Sequence, residues 1–537
     1  MITDASPLLL PASDSVSPLI ASNESASLPE TSDKTENSVD PHTSHNNITD
    51  EPKVVSKEVE NIQITLTKPK KAPDPIEADD SHGGVLGVST RVRYYILIIT
   101  ALCLTSARSN ELSFNFTVIC MTSNSTENLD TPIEMSPKEI STIFAGSGVG
   151  MVLMVLPVVY ALHYFGSRLV FGGLLLCSAV ATCLAAILAR IGPLWMVPAR
   201  VVQGMTLSSS LPLLGTVSAE WAPTNEAGKF VTMLSSAGQL SQILTMPLSA
   251  ALCVNTGWPS VYYVHGIISA ILAIVFISFF RNSPRKHPCV NNTELQYITK
   301  GAKKKTKEER AIPYKEIFHT KSVWAIWIAF LGNAFGFQLI VQFMPTYLNK
   351  VLGMPIAKTG ISAIIPPVTQ LVVKMIAGIA SDKITFIPEK LKLQIFNSIA
   401  SVGCGACLLP LGFLRADQTI FALFCFTCSI SCLGLVTCGS MKAATLVARS
   451  LTHIVMAIVQ FIVCFGILIV PFLVSTLAPD NTVEQWRAVF IIIFVIMFIA
   501  NGMFCWLCSA EPEPWAIPAG REKSDPTELI LDSHPKA

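Results

Sequence analysis

Arg200 stands in the stretch PLWMVPARVVQGMTLSSSLPLLGTVSAEWAP, residues 193–223, where the next charge after it is Glu220. A guanidinium offers a planar fork of donors that matches a carboxylate or phosphate in two-point fashion. Held among apolar residues in a bilayer it costs about 2.5–3.5 kcal/mol or more. Four circumstances make that tolerable: a water-filled cavity, an acidic partner, an anionic ligand, or a side chain that reaches back to the interface. Arg200 lies only a few residues from one end of its apolar run, so the last route is open as well. Arg108 and Glu111 occupy another apolar stretch one helical turn apart, a spacing at which they can pair with each other. Glu111 is also the carboxylate placed where it could carry a proton. Ser209, Ser210, Asn333, Gln338 and Gln342 add neutral hydrogen-bonding groups inside apolar runs. Together these residues could recognise a small anion.

The elements that must hold them are membrane helices. Of 537 residues 51% are hydrophobic and 14% charged, where soluble proteins carry about 25% charged. Stretches long enough to span the hydrocarbon layer number about twelve. They divide into 94–281 and 323–508, two expected six-helix bundles of an all-α membrane protein, joined by a linker at 282–322. The tails 1–93 and 509–537 are polar, and the first reads as disordered. Net charge is +1, which makes no case for nucleic acid. Fifteen cysteines fall mostly in apolar runs and read as small hydrophobes, with no disulfide framework in evident loops. The nine histidines are scattered and predict no metal site. Pro157, Pro212, Pro345 and Pro471 can kink their helices, and the small-residue run 235–241, SSAGQLS, predicts close packing of the fifth helix.

Basic residues set the expected topology. Arg91, Arg93, Arg168, Lys229 and the cluster RNSPRK…GAKKKTKEER in the linker fall on one face, which predicts cytosolic tails. The 122–139 loop then lies outside, where Asn124-Ser125-Thr126 is a glycosylation acceptor. On the cytosolic tail, Asp4, Leu8 and Leu9 have the spacing of an acidic dileucine sorting signal.

Along the chain run FNFTVICM, RVVQG…AEWAPTNE, GWPSVYYVHG, HPCVNNTELQYI, SVWAIW…MPTYL, GIASDK, EQWRAVF and EPEPWA, in that order. This series resembles the anion:cation symporter family of the major facilitator superfamily, the group of sialic acid exporters, vesicular glutamate transporters and type I sodium–phosphate transporters. The resemblance implies twelve helices in two bundles that rock about a central site, with Arg200 in the cavity binding a substrate carboxylate. It also implies a gating brace at Gly378, Asp382 and Lys383, beside Ser381. The corresponding first-half motif keeps Gly166 and Arg168 but lacks its acidic residue.

Four family positions differ: Leu207 replaces an acidic residue, Gly215 a histidine, Ser113 the first-helix arginine, and Asn333 an arginine of the glutamate carriers. With fewer cations, a monovalent organic anion is expected rather than a doubly charged one. The expected protein is therefore no enzyme and needs no cofactor. It is a monomeric, secondary active or potential-driven carrier of small organic anions in the lipid bilayer, with Arg200, Asn333, Gln338 and Ser209 as binding residues. Arg108 and Glu111 are the coupling candidates, with a proton or sodium as co-transported ion. A single charge crossing 100 mV is worth about 2.3 kcal/mol, so potential alone can also drive it. A sodium-coupled phosphate carrier and a non-transporting sensor of the same fold are the alternatives. The membrane is the plasma membrane or an endosomal, lysosomal or vesicular one.

Overall fold

The computed structural model describes residues 91–123, 132–223, 226–299, 313–415 and 418–516, all within the unit Asp80–Ala537. Asp4, Leu8, Leu9 and Asn124 lie outside the described residues, as does the side chain of Asp382. The regular structure described is helical. The first helices are α1 (Val92–Met121), α2 (Pro137–Ile191), α3 (Met196–Leu207), α4 (Ser210–Trp221), α5 (Ala227–Thr256) and α6 (Trp258–Phe279). A short α7 (Asn292–Thr299) follows in the linker, and then α8 (Lys321–Val351) and α9 (Ile356–Ser381). The last are α10 (Glu389–Phe413), α11 (Thr419–Ala448), α12 (Thr452–Leu477) and α13 (Val483–Leu507).

Among the described residues nine of these, α2, α5, α6 and α8 to α13, are long and apolar enough to cross a membrane by length and composition. Outward faces are apolar too: Leu156, Phe424 and Trp506 are exposed, the last at 80%. Large apolar surface on this scale belongs against lipid. Two helices are instead buried through their middles. From Ser109 to Met121 every residue of α1 is buried, and so is every residue of α8 from Gln338 to Pro345. That explains how polar side chains occur on all sides of both.

Local sequence accounts for the main turning points. Ser136 and Glu139 cap the start of α2 reciprocally, with Pro137 at its first position. Inside α2, Gly166 has φ 78° and ψ 161°, a conformation that only glycine adopts cheaply. A methyl group there would meet Asn282 Nδ2 at 2.0 Å. Asn282 Oδ1 in turn accepts from Arg168 N at 2.9 Å, and Arg168 Nε donates to Ile277 O at 2.6 Å, so the bend is tied to the end of α6. Pro345 precedes a wide turn at Tyr347–Val351, where the α-ladder is locally loosened.

In the small-residue run 235–241, Ala237 and Ser241 are buried as close packing requires, but not every position is packed. Gly238 faces open space, although Gln239 of the same run reaches Gln370 of α9 at 3.3 Å. A tight seam joins α2 to α3. A Cβ on Gly150 would lie 1.9 Å from Val201 O, and one on Gly204 would lie 1.9 Å from Ser147 O. Backbones that near each other need glycine on both sides.

The cysteine expectation is corrected at one pair. Cys120 at the end of α1 and Cys253 near the end of α5 form a disulfide across 133 residues. Both sit in helices rather than loops, and their pairing depends on two helix ends meeting in space.

Candidate functional site

The α2–α3 seam aims Arg200. Gly146 leaves room beside its Cβ, and the side chain runs between α2 and α1 to end 1% exposed. There Nη1 donates to the backbone O of Glu111 at 2.7 Å and to Gln203 Oε1 at 2.8 Å, and Nε donates to Ile143 O at 3.4 Å. Nη2 lies 3.5 Å from Glu111 Oε1 and has no hydrogen bond among the described residues. Arg108 Nη1 lies 3.3 Å from Glu111 Oε2, with Arg108 17% exposed and Glu111 1%. One buried carboxylate thus stands between two guanidiniums, and the cluster carries one positive charge beyond neutrality while all three are ionised.

A hydrogen-bonded chain continues from this cluster through four helices. Gln203 Nε2 donates to Thr182 Oγ1 at 2.9 Å, and Thr182 Oγ1 donates to Ser178 O at 2.7 Å. Asn110 Nδ2 donates to Ser178 Oγ at 3.1 Å and its Oδ1 accepts from Ser269 at 2.8 Å. Satisfied buried networks of this kind fix side-chain position. Above the cluster lies a ring layer. The Arg200 guanidinium is 5.4 Å from the Phe114 ring centre, Phe114 is 4.8 Å from Phe144, and Phe144 is 5.1 Å from Phe343 of α8.

Helix α8 brings amides toward α1. Asn115 Nδ2 donates to Val341 O at 3.2 Å. Asn115 Oδ1, Gln338 Oε1 and both amide atoms of Gln342 are buried with no partner among the described residues. Unpaired buried amides cost about 1–3 kcal/mol each, so a concentration of them marks where a polar ligand or water belongs. The other sequence candidates are more self-contained. Asn333 accepts from Ser401 Oγ at 2.6 Å, leaving only its Nδ2 unpaired, and Ser209 donates to Thr206 O at the break between α3 and α4. Leu207, the last residue of α3 before that break, is buried in apolar contacts.

At the far end of α9, Gly378 opens on free space and Lys383 is exposed. Around Ser381, Lys442 Nζ donates to its Oγ at 3.1 Å, and Glu389 pairs with Lys442 at 2.8 Å and with Lys392. Through Ser381 the motif touches a charge network that joins α9, α10 and α11.

The chain and its fold have counterparts among known proteins. Residues 95–471 match the family model of the Major Facilitator Superfamily. The chain belongs to that superfamily. Human sialin (Homo sapiens) is 24% identical over 371 residues, covering 68% of this chain and 75% of sialin. Vesicular glutamate transporter 3 of Danio rerio is 23% identical over 484 residues, 86% of this chain and 80% of that one. Sodium-dependent phosphate transport protein 1 of Mus musculus is 24% identical over 449 residues, 79% and 95%. In fold the chain is similar to a D-xylose–proton symporter at TM-score 0.61 and 15% identity, covering 78% of this chain and 98% of that structure. A bacterial homologue of the human lysosomal transporter Spinster, in inward-facing form, aligns at TM-score 0.61 and 12% identity over 78% and 97%.

For a member of the superfamily, two features here escaped sequence reasoning. Gln203, which ties Arg200 into the network, could have been found as a polar residue one turn from a buried cation. The second is the linker helix α7. Glu294, 2% exposed, accepts from the first amides of α1, Val92 N at 3.1 Å and Arg93 N at 3.0 Å. Arg93 also bonds Glu226 at 3.1 Å. Burial raises the Glu226 pKa, but hydrogen bonds from Tyr94 and Arg93 outweigh it and hold the carboxyl below the usual range.

Proposed function

We propose that the protein is a secondary transporter that moves small organic anions, carboxylates above all, by alternating access. The observation that carries this reading is the buried Arg108–Glu111–Arg200 cluster with its surplus positive charge; the unpaired amides of Gln338 and Gln342 on α8 support it. A monovalent carboxylate neutralises that surplus. Arg108 is the more accessible cation and meets the anion first; Arg200 binds it once Glu111 lets go. Protonation of Glu111 would free both guanidiniums, which gives coupling without the acidic residue missing at Leu207. In this reading Gln338, Gln342 and Asn333 of α8 supply neutral hydrogen bonds from the second half, and Ser209 from the first.

The moving parts in this reading are the six-helix bundles 94–281 and 323–508, linked by 282–322. Splitting α2 at Gly166 and adding α1 and the broken α3–α4 helix to the long apolar helices makes twelve crossings. At one end the halves touch: Ser141 Oγ donates to Pro471 O at 2.9 Å and Lys350 Nζ to Thr122 O at 3.1 Å. The Cys120–Cys253 disulfide supports placing that end outside the cytosol, because such bonds persist in oxidising compartments. That agrees with cytosolic tails, a glycan on Asn124 and sorting through Asp4, Leu8 and Leu9. The Ser381–Lys442–Glu389 network then stands at the cytosolic end, where Gly378, Asp382 and Lys383 are the proposed gating brace. The glutamate and phosphate transporters among the relatives point to anionic cargo as a class.

The test is uptake of labelled sialate, glucuronate, urate, glutamate and phosphate into proteoliposomes under imposed pH, sodium or potential gradients. Saturable carboxylate uptake, reduced more than tenfold in Arg108→Gln and Arg200→Gln, is expected. Sodium-driven phosphate uptake would replace this reading with the phosphate carrier. No flux of any anion from folded protein would leave the non-transporting sensor.

A further inference from the structure

Lys374 of α9 is a half-buried cation that the Arg108–Glu111–Arg200 site leaves unused. It lies about 13 Å along the helix from Lys383, close to the half-thickness of the hydrocarbon layer, about 15 Å. Its ammonium does not reach back to the membrane surface. It donates to Ser235 Oγ of α5 at 3.1 Å, and Ser235 itself lies about 12 Å inside the Ala227 end of α5. Ser235 Oγ donates in turn to Thr232 O at 3.0 Å. Among the described residues this hydroxyl is the only hydrogen-bond partner of the ammonium, and no carboxylate pairs with it. An ammonium at that depth calls for an anion. One neutral hydroxyl carries no balancing charge and engages one of three N–H donors.

One turn closer to the middle of α9, Gln370 accepts from Gln239 Nε2 of α5 at 3.3 Å, and Gln239 Oε1 is shielded without a partner among the described residues. Farther along the same two helices the contact is apolar and tight: a methyl group on Gly360 would collide with Ala250 and crowd Met246 O. The α5–α9 seam, which joins the two proposed halves, is thus held by packing at one end. At the other end, toward Ser381, two exchangeable polar contacts close it.

We propose that Lys374 is a second carboxylate-binding residue of the carrier, and that cargo bound there unlatches the cytosolic end of the α5–α9 seam. The carboxylate of the cargo takes the ammonium from Ser235, which removes one of the two polar contacts, and the helices part from that end about the Gly360 packing. The anion binds the parted seam in preference to the closed one, so it shifts the population toward opening. Carboxylate cargo rests on the transport reading above, and the cytosolic sidedness on the topology proposed there; the latch is testable without flux.

The experiment follows hydrogen exchange at 227–240 and 365–383 in the full-length protein in lipid nanodiscs, with glucuronate or neutral glucose added. Glucuronate should speed exchange in both segments about tenfold, the worth of one hydrogen bond to a charged group, and glucose should not. Lys374→Gln keeps a donor for Ser235 but no charge, so its exchange without ligand should stay near the wild-type rate and its response to glucuronate should vanish. Lys374→Arg should retain the response, and Ser235→Ala should exchange faster than wild type with no ligand present. In proteoliposomes Lys374→Gln should lose most glucuronate uptake and Lys374→Arg should keep it. Wild-type exchange indifferent to glucuronate, equal speeding by glucose, a full response in Lys374→Gln, or an unchanged rate in Ser235→Ala would each overturn the proposal. Seam opening by glucuronate with no anion uptake would refute the transport reading and leave the latch standing; uptake untouched in Lys374→Gln would do the reverse.

Discussion

Replacing Glu111 by Gln removes the single anion between two guanidiniums while keeping its size. Its oxygens lie 3.5 Å from Arg200 Nη2 and 3.3 Å from Arg108 Nη1. At an effective dielectric of about 20 each attraction is on the order of 5 kcal/mol, before desolvation of the charges is set against it. Breaking a buried pair on one side costs about 3–5 kcal/mol net, because the remaining charge stays buried without compensation. Arg108 is partly exposed, so water offsets part of its loss, and about 3 kcal/mol is the expected total. Reversible unfolding by SDS titration in mixed micelles reads this directly. The double variant Glu111→Gln with Arg200→Gln removes the stranded cation too, so its loss should fall well short of the sum of the single losses. A Glu111→Gln protein within about 0.5 kcal/mol of wild type, or strict additivity in the double variant, would refute the reasoning.

Glu294→Gln weakens the cap that α7 places on the first amides of α1, and should cost about 1–2 kcal/mol in the same titration, with faster proteolysis in the linker. His287 accepts from Cys289 N through Nδ1 at 3.2 Å and donates from Nε2 to Phe279 O at 3.1 Å, an arrangement that holds the ring neutral. Burial pushes its pKa down, the Phe279 carbonyl opposes that, and Arg281 adds to it. The folded form thus binds fewer protons, and stability falls as pH drops below about 6.5. Hydrogen exchange at 283–299 should accelerate over that window in the wild type and not in His287→Ala. Cys120→Ser opens a link across 133 residues, with an expected loss of about 2–4 kcal/mol. Maleimide labelling of the unfolded wild type should gain two thiols on reduction.

Much of the architecture was legible from local pattern. Apolar runs of bilayer length and basic loops are properties of neighbouring residues, so hydropathy alone located α2, α5, α6 and α8 to α13. The capping box at Ser136 and the glycine at 166 are equally local. The charged residues were legible as candidates for the same reason: Arg108, Glu111 and Arg200 stand out against apolar surroundings, and one helical turn brings the first two together.

Which charges share a site was beyond that reading. Arg200 meets the Glu111 carbonyl across 89 positions, and Asn115 meets Val341 across 226. The glycines at 146, 150 and 204 decide the first meeting by letting α3 sink against α2, and no single segment carries that information. The ring layer from Phe114 to Phe343 and the Cys120–Cys253 bond arise in the same way, where helix ends distant along the chain come together. The sequence by itself determined an all-helical membrane chain with cations in unusual places. Only tertiary packing decided that one of them, Arg200, is held by a carboxylate from α1, because ion pairing depends on distance in space and hydropathy on neighbours along the chain.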